Sequence, residues 1–95
     1  MNIYMVLTYK QRFNKKYGQS LNKSNSLSDI SRLTGYKLSG LRTIYNKGVG
    51  AYKTNPGSVR PNVKSPEQWA MARVYASVNK SSKAYKIDKI HLKKK

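Results

Sequence analysis

Few side chains of this 95-residue sequence belong to the types that perform catalysis or bind metals. The acids are Asp29, Glu67 and Asp88, His91 is the only histidine, and cysteine is absent. Asp29 and Glu67 fall in the first turns of predicted helices, where carboxylates interact favourably with the helix dipole. No carboxylate pair then remains for glycosidase or two-metal chemistry, and His91 has no nearby triad partner. We therefore expect a protein that is not an enzyme, with no catalytic residue, metal site or cofactor.

Positive charge is by contrast abundant, with 20 Lys and Arg residues against 3 acids and a net charge of +17 at pH 7. Such an excess attracts polyanions, so we expect DNA, RNA, an anionic membrane or an acidic protein face as the partner, and no small-molecule substrate. No apolar run approaches the ~20 residues of a membrane span, so none is expected. Residues 1–9 are partly apolar, but no positively charged segment precedes them, which argues against a signal peptide.

The candidate binding residues are cationic or amide side chains. Lysine and arginine pair with phosphate groups, and the 8 interleaved tyrosines are typical of nucleic-acid binding, because bases stack on aromatic rings. Tyrosines are equally typical of protein interfaces, so they do not discriminate between the two kinds of partner. The candidates for nucleic-acid or partner binding are Lys15, Lys16, Lys37, Arg42, Asn46, Lys53, Arg60, Lys86, Lys89, Lys93 and Lys94.

Residues 26–48 must position several of these side chains, and they carry the signals of two helices. Ser26 is a predicted N-cap with Asp29 three positions later, and Gly35 is placed to end the first helix in a left-handed conformation. We predict a second N-cap at Ser39 and a second helix end at Gly48. The apolar positions that indicate helical periodicity are Leu27, Ile30, Leu33, Leu41, Ile44 and Tyr45.

The spacing around Gly35 is that of a helix-turn-helix. Ser31 lies four residues before it, where two helices approach closely, and Leu41 and Ile44 lie six and nine residues after it. In a major groove Arg42 would bond guanine and Asn46 adenine. The same pattern is also typical of a plain helical hairpin that never touches DNA, and both interpretations stay open.

A Gly/Pro loop is predicted over residues 49–65. It lacks the Gly-Lys-Ser/Thr ending of a P-loop, so we interpret it as a structural turn in which Lys53 and Arg60 face phosphates or acidic side chains. Packing of the loop on Trp69 is compatible with this. A third helix follows, capped by Ser65 with Pro66 at its first position. The predicted core, centred on Trp69, consists of Leu33, Leu41, Ile44, Trp69 and Val74.

These elements indicate a mainly α fold: a small three-helix body with a helix-turn-helix-like hairpin, a Gly/Pro loop and basic arms. Residues 1–25 are predicted as a basic N-terminal arm, 26–79 as the helical domain, and 80–95 as a Lys-rich C-terminal arm. A short strand is compatible with residues 1–9. We expect the C-terminal arm to become ordered on a partner, with Tyr85, Ile87, Ile90 and Leu92 as its apolar anchors.

Residues 36–78 resemble a small family of unknown function found in large nucleocytoplasmic DNA viruses and tailed phages. The matching pattern is S-G-L-x-x-I-Y-N-x-G-x-G-A-W/Y-K-T-N-P-x-S-V-R over 39–60, followed by E-Q-W-A-M-A-R-V-Y over 67–75. Tyr52 stands where many members have tryptophan, and part of the insert before the third helix is missing. The resemblance implies a viral origin and no known catalytic activity, and it transfers no functional residue.

Charge, missing catalytic groups and resemblance together predict a non-enzymatic structural virion protein. It would be a minor capsid or core component, within a large assembly, that binds acidic capsid-protein surfaces or packaged viral DNA electrostatically. We expect it in the virion, or in a host intracellular compartment during infection. The alternative is a helix-turn-helix DNA-binding regulator or architectural protein, which would show sequence preference where a capsid component would not.

Overall fold

The computed structural model describes residues 7–54 and 65–95, and this part of the chain is mainly helical, as predicted. Its helices are α1 (Tyr9–Lys16), α2 (Leu27–Thr34), α3 (Leu38–Thr54), α4 (Pro66–Ser77) and α5 (Lys83–Asp88), with a 3₁₀ helix at Lys89–His91. Residues 1–6 of the strand predicted as compatible with residues 1–9 lie outside the described residues, whereas Thr8 and Tyr9 belong to the start of α1 and not to a strand.

Helix α1 occupies part of the segment predicted to be a basic arm. Thr8 caps it, since its hydroxyl accepts a hydrogen bond from Gln11 N while the Gln11 side chain accepts one from Thr8 N. Phe13 is buried against Tyr75 of α4, with ring centroids 5.3 Å apart. The N-terminal segment is therefore attached to the helical body, at least from residue 8 onward.

A buried amide cluster completes this attachment. Asn14 donates to the carbonyl oxygens of Leu21 and Lys23 at 2.7 and 3.0 Å, and its own side-chain oxygen accepts from Asn25 at 2.8 Å. The Tyr75 hydroxyl accepts from the Asn25 backbone amide at 3.2 Å. These bonds satisfy the amide groups of Asn14 and Asn25, which is why both side chains can be buried beside α4.

The predicted ends of α2 are confirmed. Ser26 and Asp29 form a reciprocal capping box, and Gly35 follows the helix with a φ of 81°, in the left-handed region that glycine tolerates best. The hydrogen bonds from Ser26, its backbone amide first, lower the pKa of the Asp29 carboxyl below its usual value. Ser31 donates to Tyr36 O at 2.6 Å and so tightens the turn into α3.

The predicted ends of α3 are wrong, because this helix begins at Leu38, before Ser39, and continues through Gly48. Gly48 does not end the helix; it lets α4 approach closely. A Cβ added at Gly48 would lie 2.7 Å from Ala70 Cα. The predicted loop therefore begins later than residue 49, and its residues 55–64 lie outside the described part.

Helix α4 begins as predicted, with Ser65 as its cap and Pro66 in the first turn, but Trp69 is not the core centre. The buried face of α4 consists of residues such as Ala70, Val74 and Ser77. Trp69 precedes Ala70 by one residue, so its side chain leaves the helix in a different direction and is only partly buried. Leu41, Ile44 and Val74 are fully buried as predicted, and Leu33 is partly buried. The buried apolar cluster is Phe13, Ile30, Tyr36, Leu41, Ile44, Val74, Tyr75, Val78 and Leu92.

The C-terminal segment also differs from the expectation of an arm that becomes ordered only on a partner. Helix α5 packs against α4, and the 3₁₀ helix contacts α3. Leu92 is buried, whereas Ile87 and Ile90, two of the predicted anchors, are exposed. Beyond them, the chain pairs with the turn between α2 and α3, where Lys37 N donates to Lys93 O at 2.7 Å and Lys95 N donates to Gly35 O at 2.9 Å.

Candidate polyanion-binding surfaces

One face of α3 is buried and the opposite face is polar and open to solvent. Leu41, Ile44 and Gly48 fill the buried face. The exposed side chains, which we call the α3 outer stripe, are Ser39, Arg42, Thr43, Asn46, Lys47 and Lys53. Since residues four and eleven apart lie on one side of an α-helix, the predicted site residues Arg42, Asn46 and Lys53 share this stripe.

A second set of predicted site residues meets beside the first turn of α3. Lys37 and Lys93 are joined by a backbone hydrogen bond and have exposed side chains. Lys94 Nζ donates to Thr34 O at 2.7 Å and lies 4.3 Å from the centre of the Tyr36 ring. Lys94 is thus engaged in holding the chain end to the α2–α3 turn, a contact that no local sequence signal marks.

The exposed side of α5 mixes charge with apolar surface. The exposed side chains of α5 and of the 3₁₀ helix that continues it, which we call the α5 outer face, are Lys83, Lys86, Ile87, Lys89 and Ile90. Ile87 is 68% exposed and Ile90 is 64% exposed. The predicted site residues Lys86 and Lys89 lie here.

Asp88 lies on the opposite side of α5 and is completely buried. Arg73 of α4 donates to both of its carboxylate oxygens, from Nε at 3.0 Å and from Nη2 at 2.9 Å, and Ser77 Oγ donates at 2.6 Å. Burial alone would raise the pKa of Asp88, but the bonds from Arg73 and Ser77 and the charges of Arg73 and Lys47 outweigh it and lower the pKa. No local sequence pattern predicts this pair, although Asp88 is the only acid in the Lys-rich residues 80–95.

The other predicted site residues do not join these surfaces into one site. Lys15 and Lys16 are exposed in the last turn of α1, where Lys16 Nζ lies 5.6 Å from the Tyr17 ring centre. Arg60 lies outside the described residues. His91 is partly exposed, but its Nε2 atom is buried and has no hydrogen-bond partner within the described part.

An open cavity of about 910 Å³ lies between α1 and α4, and the partly buried Trp69 lines it. Tyr9, Arg12 and Arg73 also border this cavity. Trp69 therefore contributes to a groove wall where the sequence analysis placed it in the core.

Residues 7–54 and 65–95 contain neither a metal-binding cluster nor a membrane-spanning helix. They contain no group of three or more His, Cys, Asp or Glu side chains arranged to hold a metal ion. None of the helices in these ranges has the length and apolar character needed to cross a membrane.

The comparisons with known proteins give one family and no closer relative. The model of the "Family of unknown function (DUF5824)" matches residues 5–93. The chain belongs to this family. The match extends over α1 and α5, well beyond the motif-bearing residues 36–78, so both helices are part of the family's common sequence. No curated protein and no solved structure matches the chain.

Proposed function

We propose that this DUF5824 chain is a non-enzymatic structural component of a virus particle. It binds an anionic partner electrostatically, either packaged DNA or an acidic surface of a capsid protein. Its place is the virion, or a host intracellular compartment during infection.

The observation that carries the proposal is the imbalance between exposed cations and the acids that could neutralise them. Of the chain's 3 acidic residues, Asp29 pairs with Arg32 at 3.7 Å and Asp88 pairs with Arg73 at 2.9 Å. Both ion pairs within the described ranges use arginine, so no lysine there is neutralised by an ion pair. The α3 outer stripe, the α5 outer face and the end of α1 therefore present positive charge outward, and a polyanion would release counterions on binding.

The viral part of the proposal is supported by the sequence resemblance of residues 39–60 and 67–75. Its most direct test is mass spectrometry of purified particles from the source virus. We expect the protein as a particle component that high salt removes from disrupted particles. Its absence from purified particles would overturn the proposed location.

A second candidate function, a DNA-binding regulator or architectural protein, is favoured by the α3 outer stripe. Helix α2 ends at the left-handed Gly35 and α3 begins three residues later, which is the chain order that a helix-turn-helix requires, and Arg42 and Asn46 are exposed one turn apart on α3. Arginine reads guanine and asparagine reads adenine in the major groove. Selection from a random DNA pool at physiological salt separates the two functions, because only a regulator would enrich a defined sequence.

A further inference from the structure

The apolar part of the α5 outer face is the least protected apolar surface among the described residues. Ile87 and Ile90 are 68% and 64% exposed, whereas the other large exposed apolar side chains, Tyr9 and Leu21, are 38% and 37% exposed. The two isoleucines lie three positions apart on consecutive helical turns, so their side chains are neighbours on one side. Single exposed apolar residues are ordinary, whereas contiguous ones rimmed by polar side chains form the patches that mark interaction sites.

The surroundings of this pair are uniformly positive. Lys83 and Lys86 each lie four residues before an isoleucine, on the same side of the helix, and Lys89 lies between the two isoleucines in sequence. The one acid of the segment, Asp88, points inward to Arg73. A partner that covers this face must therefore bring both apolar side chains and negative charge.

We infer that the α5 outer face docks an acidic protein segment that carries apolar side chains. This inference rests on the proposed function and deepens it, since it assigns a protein partner to this face. Phosphate and sugar would match the lysines but would leave the isoleucines without apolar contact. A second copy of this chain would bring a further net charge of +17 to an already positive face, which opposes self-association.

A membrane surface suits this face less well than a protein does. Helices that lie in a membrane interface have an extended apolar side that enters the lipid. Helix α5 and the 3₁₀ helix that continues it have nine residues together, and the α5 outer face offers two isoleucines. A protein groove can enclose such a small apolar contact at the centre of a larger polar interface, because interface energy is concentrated in a few central residues.

The test measures binding of the full chain to two synthetic helical peptides of equal negative charge. One has glutamates with leucines along one side, and the other has glutamine in place of every leucine. At physiological salt we expect the leucine peptide to bind at least about tenfold more tightly, because burying even one isoleucine side chain contributes that much to the affinity. The double variant Ile87→Ser/Ile90→Ser is expected to bind both peptides equally. Leu21→Ser, which removes an exposed leucine outside α5, is the matched control and should keep the preference.

Three results would overturn the inference. The unchanged chain could bind the two peptides equally, or the double variant could keep the preference for the leucine peptide. The third is that the unchanged chain forms a homodimer that the double variant does not form. If the chain binds vesicles of phosphatidylcholine and phosphatidylserine through the isoleucines and binds neither peptide in this way, a membrane role replaces the proposed protein docking. Both isoleucines are exposed, so the double variant should keep its helical circular dichroism. Binding to duplex DNA should not change in that variant. Absence of the protein from virus particles would overturn the proposed function and leave the peptide result standing.

Discussion

The outward sides of α3 and α5 are both positively charged, but they differ in what accompanies the charge. On the α3 outer stripe the cationic side chains of Arg42, Lys47 and Lys53 are accompanied by small polar or amide side chains such as Thr43 and Asn46. On the α5 outer face the neighbours of the lysines are two isoleucines. Positive charge alone selects any polyanion, whereas the accompanying side chains distinguish a phosphate backbone from a protein surface.

The two helices also differ in how they are stabilised. Helix α3 spans 17 residues and has its own apolar face, which packs against α4. Helix α5 spans six residues, too few to be stable alone, so it depends on tertiary anchors. Those anchors are the Asp88–Arg73 pair, the contact of the 3₁₀ helix with α3, and the pairing of residues 93–95 with the α2–α3 turn. Removing them one at a time should damage the α5 outer face and leave the α3 outer stripe intact.

The largest effect is expected from Arg73→Met, which leaves the buried Asp88 carboxylate with Ser77 as its remaining side-chain donor. Removing one member of a buried pair costs about 3 kcal/mol or more in the free energy of unfolding. The pKa of Asp88 is lowered in the folded protein, so the pair stabilises the fold above the unfolded value near 4, and this stabilisation is lost as the pH falls through the folded pKa. Urea unfolding should therefore show a large deficit at pH 7 that shrinks toward pH 3.

The control for this prediction is Arg32→Met. Arg32 pairs with Asp29 at 3.7 Å, and their side chains are 65% and 40% exposed, so this surface pair should contribute little. Equal stability losses in the two variants, or a deficit at Arg73 that does not depend on pH, would contradict the assigned role of the buried pair.

The second effect is expected from Gly40→Ala, at the contact between α3 and the 3₁₀ helix. A Cβ at Gly40 would overlap the backbone carbonyl oxygen of His91, which cannot move aside as a flexible side chain would. Alanine is normally favoured over glycine within a helix, but at this position in the first turn of α3 we expect a loss of about 2 kcal/mol from overpacking. Thermal unfolding followed by circular dichroism measures whether the substitution lowers or raises the stability.

Gly50→Ala is the matched control, in the same helix. An added Cβ there meets none of the described atoms within 4 Å, so the helix propensity of alanine should raise the melting temperature. If both variants are stabilised, α3 and the 3₁₀ helix do not approach each other closely at Gly40.

The sequence predicted what local rules determine and missed what distant contacts determine. Capping residues such as Ser26 and Ser65 act within one helical turn, and their helices begin as predicted. Gly48 has the local character of a helix end. It lies inside α3 instead, where it allows α4 to approach closely at Ala70, 22 positions later in the sequence. No local pattern shows such a contact.

The candidate surfaces divide in the same way. The α3 outer stripe could be predicted, because helical periodicity separates Arg42 and Asn46 from Leu41 and Ile44. The α5 outer face could not, because the segment supplies four apolar anchors and only the packing on α4 decides which are buried. Arg73 likewise becomes the partner of Asp88 only when α5 folds back on α4.

A third, smaller effect is expected for DNA binding when the α3 outer stripe is changed. Arg42→Ala should weaken binding to duplex DNA a few-fold and reduce the slope of log affinity against log salt by about 1, which is the effect of losing one phosphate contact. Fluorescence anisotropy over a salt series measures both quantities. Ile87→Ser is the matched control on the α5 outer face and should leave the affinity and the slope unchanged.

Two outcomes of this experiment decide between interpretations of α3. If Arg42→Ala weakens binding to one DNA sequence much more than to others, the regulator function gains support over the structural one. If Arg42→Ala has no effect on any duplex, α3 is not a DNA-binding surface, and the helix-turn-helix-like pattern is a plain helical hairpin.

The smallest effect is expected from Lys94→Met, which tests whether this lysine holds the fold or binds a partner. The variant loses the bond from Nζ to Thr34 O and the contact with the Tyr36 ring, both at an exposed position, so the free energy of unfolding should fall by about 0.5–1 kcal/mol. Lys95→Met is the control, because Lys95 bonds to Gly35 through its backbone amide, which the substitution keeps. A Lys94→Met variant with unchanged stability but a reduced salt slope for DNA would instead make Lys94 a phosphate contact and extend the α3 surface to the chain end.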